Sequence, residues 1–216
     1  MKSGARYDTT SLVEAQYEPG SHKRVLKNLL GITRKRDMDE AEIRALESAQ
    51  EKLYLEYDAG HRFTASDIQY MHKLWLGGIY EWAGEYRQVN VSKGGFFFAA
   101  AGQIPSLMAE FEQGPLSRHT PCAYKDMARV IEALAEVHVE LLLIHPFREG
   151  NGRLARLLAM LMANQAGLPL LDFTFIKGKK KDEYFAAVRA GLDRDYGPMS
   201  GIFELVVKKT LCARRP

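Results

Sequence analysis

The longest run of helical period in this chain ends on a histidine–proline pair, and that junction constrains the fold more than any other feature. Met127, Val130, Ile131, Leu134, Val137, Leu141 and Leu142 recur at three- and four-residue spacing through about four turns. Pro146 disfavours helical geometry at the residue before it, so the chain must leave the helix around His145. A second apolar stripe, Leu154, Leu157, Leu158, Leu161 and Met162, follows a glycine-rich loop and is stopped by Gly167 and Pro169. Two buried helices joined through so short a loop give that loop a rigid base on both sides.

The remaining pattern is also mostly helical. Asp39 is placed to cap a segment carrying Ile43, Leu46, Leu53, Tyr54 and Tyr57 on one side, with Gln50 in the gap. Thr64-Ala65-Ser66-Asp67 has the form of a capping box, and Ile68, Met71 and Trp75 recur behind it until Gly77-Gly78. Further helices are expected around Asp182 to Leu192 and Met199 to Leu211. Only one stretch alternates with period two: Arg87, Val89 and Val91 on one face, and Gln88, Asn90 and Ser92 on the other. Lys93-Gly94-Gly95 then signals a turn, and Phe96-Phe97-Phe98 offers the return strand. The three phenylalanines must point alternately, so at least one faces away from the helices. The expected fold is a mostly α domain with one β-hairpin, and a lone hairpin must lie against the helices to be ordered.

With 216 residues, of which 46% are hydrophobic and 26% charged, the chain has enough apolar surface for one soluble globular unit. No apolar stretch is long enough to cross a membrane, and no secretory signal follows the first residues, so a cytoplasmic location is expected. Cys122 and Cys212 have neither disulfide-framework nor zinc spacing. A formal charge of +3 specifies no partner and gives no reason to expect specific nucleic-acid binding. The run Lys177-Gly178-Lys179-Lys180-Lys181 reads as a solvated turn. His138 stands two helical turns from His145 with no third ligand, so it is a helix-face histidine rather than half of a metal pair. His22, His61, His72 and His119 have no interpretable spacing.

The loop His145-Pro146-Phe147-Arg148-Glu149-Gly150-Asn151-Gly152-Arg153 carries the chemistry. Gly150 and Gly152, directly before a helix, can turn successive backbone N–H groups inward as an anion nest that the helix N-terminus reinforces. Arg153 and Arg156 lie one turn apart, about 60° in projection, so both can reach one polyanion. Glu149 is a hard carboxylate suited to Mg²⁺ bridging phosphate oxygens. Histidine as a residue type ordinarily titrates near neutrality, and His145 has no Cys or Ser nucleophile beside it, which suits a general base. These residues specify a site for a nucleotide polyphosphate with Mg²⁺ and a histidine able to deprotonate an attacking hydroxyl. A glycine-rich loop before a helix can also be only a connection.

His145 to Arg156, HPFREGNGRLAR, resembles the HPFx(D/E)GNGRxxR motif of the Fic family at every defined position. Tyr80-Glu81-Trp82-Ala83-Gly84-Glu85-Tyr86-Arg87 is similar to that family's approach to its flap hairpin. Tyr17-Glu18-Pro19-Gly20 and Leu26-Lys27-Asn28-Leu29-Leu30-Gly31-Ile32 resemble the opening of its antitoxin-controlled members. The resemblance implies a Fic-type helical bundle over residues 36–216, with residues 1–35 an N-terminal extension packed on it. It implies transfer of AMP from ATP to a Tyr, Thr or Ser hydroxyl of a target protein, in some members as a toxin. By position, His145 is then the base, Phe147 the loop's anchor and Glu149 the Mg²⁺ ligand. Gly150, Asn151 and Gly152 hold the α- and β-phosphates, Arg153 the β- and Arg156 the γ-phosphate. Doc-type kinases of the family carry lysine where Gly152 stands, so glycine favours AMP transfer.

Within the same resemblance the hairpin, Val89, Val91, Lys93, Gly94, Gly95, Phe96, Phe97 and Phe98, is a flap that pairs with an extended target segment. An inhibitory (S/T)xxxE(G/N) helix aims its glutamate at the arginine in the position of Arg156. Thr10 to Ala15, with Glu14, and Ser200 to Leu205, with Glu204, both approach that pattern and depart from it at the last residue, and core packing is the expected role of the second. A separate small antitoxin is the expected source of inhibition. Two other readings of the chain are a catalytically idle nucleotide-sensing module and a Fic-fold enzyme performing de-AMPylation or another phosphate-group transfer. The intact His145 and Glu149 favour an enzyme over a sensor.

Overall fold

A computed structural model of the chain describes residues 12–213, so Thr10, half of one inhibitory candidate, lies outside the described residues. The element order is α1(Lys35–Glu56), α2(Ala65–Leu76), β1(Ser92–Lys93), β2(Phe96–Phe97), α3(Ile104–Phe111), α4(Ser117–His119), α5(Met127–Ile144), α6(Asn151–Gln165), α7(Lys179–Ala190) and α8(Gly197–Cys212). The architecture is mostly helical with one small hairpin, as the periodicity predicts.

α5 is the axis of the bundle, packing against α6 and α8 most extensively and also against α3 and α7. Its stripe explains why: Val130, Ile131, Leu134, Val137, Leu141 and Leu142 are all buried, and alanines at 133 and 135 let neighbouring helices approach. Asp126 caps its start, accepting from the Ala128 N–H. α2 opens with the expected capping box, Thr64 Oγ1 accepting from Asp67 N–H at 3.1 Å and Asp67 Oδ2 from Thr64 N–H at 2.8 Å. Before α1, Tyr17 and Leu26 form an isolated antiparallel bridge, and Val25 and Leu26 are buried in the common core.

Two sequence expectations change, and one helix has no counterpart in the periodicity. α1 begins at Lys35 rather than at a cap on Asp39, which pairs instead with Lys35 one turn back. Its buried face is Met38, Ala41, Glu42, Ala49 and Leu53, while Ile43 is 50% exposed. A carboxylate stands in that stripe, which hid the true face from a reading by apolar period. The hairpin is shorter than the alternation suggests, with Ser92 opposite Phe97 and Lys93 opposite Phe96. Val91 C=O still accepts from Phe98 N–H at 3.3 Å, but the ladder goes no further back, because the chain before it is engaged elsewhere: Arg87 N–H donates to Pro146 C=O at 2.9 Å and Gln88 N–H to Glu14 Oε1 at 2.6 Å. Finally, α3 gave no usable period, being short, opened by Pro105 and followed by Gly114 and Pro115.

Candidate active site

His145 closes α5 in the left-handed region, φ 52° and ψ 59°, a conformation normally left to glycine. Such strain costs about 1–3 kcal/mol and must be offset nearby. The offset is Arg87. Its guanidinium is 1% exposed and donates to His145 C=O at 2.7 Å, Val89 C=O at 2.7 Å and Ala99 C=O at 2.6 Å, with Ile144 C=O at 3.4 Å. Burial lowers its pKa to about 10, so it stays a cation at neutral pH. One side chain thus ties both feet of the hairpin to the carbonyl of His145.

The His145 ring is fixed in turn. Nδ1 lies 3.2 Å from the Leu142 carbonyl, which can only accept, so Nδ1 carries the proton and Nε2 keeps its lone pair. Phe98 stacks on the ring, centroids 3.7 Å apart. Burial holds the imidazole at a pKa of about 4, so it is neutral near pH 7.

The loop that follows is closed by Asn151, 2% exposed, whose side chain accepts from Phe147 N–H at 2.9 Å and donates to Phe147 C=O at 2.7 Å. Its Oδ1 and one Nδ2 hydrogen are therefore committed to the loop. Phe147 is fully buried and stacks on His72, centroids 3.9 Å apart. His72, to which the sequence assigned no role, is fully buried: Nδ1 accepts from Gly84 N–H at 2.8 Å, which leaves Nε2–H to donate to Glu149 C=O at 3.1 Å. Burial depresses its pKa to about 4, keeping the neutral form this arrangement requires. The signal was present in Gly84 and Phe147, but nothing in the spacing joined them to His72.

Gly150 has φ 83°, and a Cβ there would lie 2.8 Å from the Trp75 ring, so backbone and space both demand glycine. Gly152 differs, since a Cβ would meet nothing within 4 Å and its φ is ordinary. The fold itself does not need a glycine at that position; the open space lies at the N-terminus of α6. Arg153 and Leu154 N–H both donate to Gly150 C=O, leaving those of Asn151 and Gly152 along the axis for an anion.

A cleft of about 520 Å³ joins these parts. His145, Glu149, Gly150, Asn151, Gly152, Arg153 and Arg156 line one side of it; Lys93, Gly94, Phe96 and Phe98 enter from the hairpin. Phe96 and Phe98 meet edge to face at 5.2 Å, whereas Phe97 is 78% exposed, as the alternation predicts. Val89 is buried below the hairpin and neither it, Val91 nor Gly95 lines the cleft. The far wall was not legible in the motif: Ile176 and, from α7, Lys181, Tyr184, Phe185, Val188 and Arg189. The basic run is correspondingly not only a solvated turn, because α7 begins at Lys179 and Lys181 Nζ stands 5.9 Å from the Phe185 ring. His138 is buried between helices, bonded to Ala155 C=O and the Tyr184 hydroxyl, which fits a structural histidine. Among the described residues no cluster of three or more His, Cys, Asp or Glu could hold a metal.

Neither inhibitory candidate stands at Arg156. Glu14 is buried against the hairpin's base, with Oε1 taken by Gln88 N–H and its carbonyl by Arg148 Nε at 2.9 Å. Glu204 is exposed on α8, and it does not line the cleft. Among the described residues Arg156 has no carboxylate within ion-pair distance.

A helical scaffold thus presents a neutral histidine, the N-terminus of α6 and two arginines to one cleft beside the hairpin. Residues 62–163 match the Fic/DOC family. The protein adenylyltransferase VbhT of Bartonella schoenbuchensis is 32% identical over 192 residues, which is 87% of this chain but 37% of that protein. The chain therefore spans about a third of the length of that curated relative. The solved N-terminal Fic domain of Bep8 from Bartonella sp. 1-1C superposes with a TM-score of 0.73 at 21% identity, covering 90% of this chain and 96% of that one. BepC of Bartonella tribocorum, solved with bound AMPPNP, gives 0.71 at 22% identity over 91% and 97%. These two show the fold. No described helix is long and apolar enough to cross a membrane.

Proposed function

We propose that this chain is a protein adenylyltransferase, moving AMP from ATP to a Tyr, Thr or Ser hydroxyl of a target protein. The observation that carries the reading is the free Nε2 of a neutral His145 in the same cleft as the α6 N-terminus and its two arginines. The name of the VbhT relative and the AMPPNP in BepC support the same donor and reaction. The triphosphate would lie on the N–H groups of Asn151 and Gly152, with Arg153 and Arg156 on the outer phosphates and the nucleoside against Ile176, Phe185 and Val188. The target oxygen then bonds to the α-phosphorus as the bond from that phosphorus to the bridging oxygen breaks. The hydroxyl proton passes to His145 Nε2, and pyrophosphate leaves.

The donor set fits Mg²⁺, which typically takes one or two carboxylates and completes its shell with phosphate oxygens and water. Glu149 is half-exposed, and only its Oε1 is engaged, with Gly150 N–H at 2.9 Å and Arg153 at 3.6 Å. When bound, the ion would neutralise phosphate charge. The hairpin's outer edges are unpaired among the described residues, which supports docking of an extended target segment by backbone pairing. A small antitoxin is supported by the unpaired Arg156 and by a second groove of about 460 Å³, in which Leu46, Met160, Leu170 and Leu171 flank the outer side of Arg153 and Arg156. We place the protein in a cytoplasm, with residues 1–35 as an extension on the Fic domain.

Incubation with a target extract and ATP labelled at either the α- or the γ-phosphorus tests the reading. Label should reach protein from the α position alone and vanish in His145→Ala, while nucleotide still binds. Label from the γ position would make the chain a kinase.

A further inference from the structure

Glu42 is the least expected residue in the core. It sits on the buried face of α1, 1% exposed, yet no feature of the loop motif refers to it. Its Oε1 accepts from the Tyr80 hydroxyl at 2.7 Å, and its carbonyl from Trp75 Nε1 at 2.8 Å. Oε2 takes no aligned hydrogen bond; it is met by Arg153 Nη2 at 2.6 Å as an ion pair. The Arg153 guanidinium lies over the Trp75 ring, 4.7 Å from its centroid, and is itself only 24% exposed. Trp75 is the same ring that forbids any side chain at Gly150. One buried group of α1 and α2 therefore sets where both the first arginine of α6 and the glycine before it can be.

We propose that Glu42 is a positioning residue that fixes Arg153 on the Trp75 face and offsets its charge, so that the cleft holds pyrophosphate weakly enough to release it. The inference rests on the polyphosphate reading of the cleft. A buried arginine carries several donors; Glu42 engages one nitrogen and leaves others to the ligand, so orientation survives while net attraction falls. Arg156, one turn on with no carboxylate beside it, supplies the unopposed charge. The division matters in a transfer that leaves pyrophosphate in the same cradle that bound it as part of ATP, since an interaction that persists after the reaction slows turnover.

The experiment measures pyrophosphate and ATP binding by calorimetry with Mg²⁺, and AMP transfer by steady-state kinetics, in wild type, Glu42→Gln and Tyr80→Phe. Glu42→Gln keeps the shape and the Tyr80 hydrogen bond but removes the charge. It should bind pyrophosphate about tenfold tighter, with KM for ATP and kcat both falling. Tyr80→Phe keeps the carboxylate and should bind pyrophosphate within about twofold of wild type. A merely structural Glu42 would instead weaken binding and kcat together, and that result, or unchanged affinity in Glu42→Gln, overturns the inference. Equal tightening in Tyr80→Phe would trace the effect to loosened packing and overturn it too. Should Glu42→Gln not fold, nitrogen-15 NMR of wild-type Arg153 decides: hindered guanidinium rotation must persist when pyrophosphate is added, and its loss refutes the clamp. Absence of any pyrophosphate or ATP binding to wild type would instead bring down the reading of the cleft itself, and the inference with it.

Discussion

Phe98 lies flat on His145, with ring centroids 3.7 Å apart and planes 19° from parallel. The contact links the residue that follows β2 to the proposed base and contributes to the burial that keeps His145 at a pKa of about 4. Removing the ring admits water, and the imidazole pKa should climb toward its ordinary value of about 6.5. In Phe98→Ala the acidic limb of the kcat profile should therefore move to higher pH, with the Leu142 contact keeping the tautomer. An acidic limb that stays in place would show that the burial comes from elsewhere.

Arg87 is expected to matter more than its distance from the motif suggests. Arg87→Met leaves the carbonyls of Val89, Ala99 and His145 without their donor, at a cost of about 2–4 kcal/mol in stability. Urea unfolding should show that loss. Kinetics should show a fall in kcat that exceeds any change in nucleotide affinity, because the strained backbone of His145 is no longer held.

The two loop glycines should respond oppositely. Gly150→Ala drives a methyl to 2.8 Å from Trp75 at φ 83° and should destabilise the fold by about 2–4 kcal/mol. Gly152→Ala meets no atom within 4 Å and should leave stability unchanged or raise it by up to about 1 kcal/mol. Its cost should appear in calorimetry as weaker ATP binding. Stability loss at Gly152 would mean that glycine serves the backbone there.

Stability should fall on mild acidification. Burial holds His72, His138 and His145 at about 4, 3 and 4, whereas the same residues titrate at about 6.5 when unfolded. Above about pH 6.5 all three are neutral in both states and contribute no pH dependence. As pH falls toward about 4 the unfolded chain takes up protons that the folded one refuses, so each histidine removes about 1.4 kcal/mol per pH unit. Urea midpoints at pH 7.5 and pH 5 measure the slope; equal midpoints would mean that these rings are accessible.

Much of the site was legible because one short loop between two strongly periodic helices contains it. His145, Glu149, Gly150 to Arg153 and Arg156 come together in one cleft because the chain has no room to separate them. Glu42, His72 and Arg87 were not legible in the same way. Each is a polar group inside an apolar or alternating pattern, and its role appears only when distant segments meet: Glu42 with Arg153, His72 with Gly84 and Glu149, Arg87 with Ala99 and His145. The α7 wall failed for a simpler reason. A lysine-rich stretch reads as solvent-facing whether or not the next turn of helix places one lysine at a cleft.

Arg153 and Arg156 form a party wall between two clefts, one shared with His145 and the other bordered by Leu46, Met160 and Leu170. A molecule in the outer groove and a phosphate in the inner one would be separated by the thickness of a guanidinium. Communication between two such occupants would need no moving helix and no relay through the core, because both would draw on the same two positive charges. Control of this kind would act at the speed of binding, and its strength should decline with added salt as direct competition does.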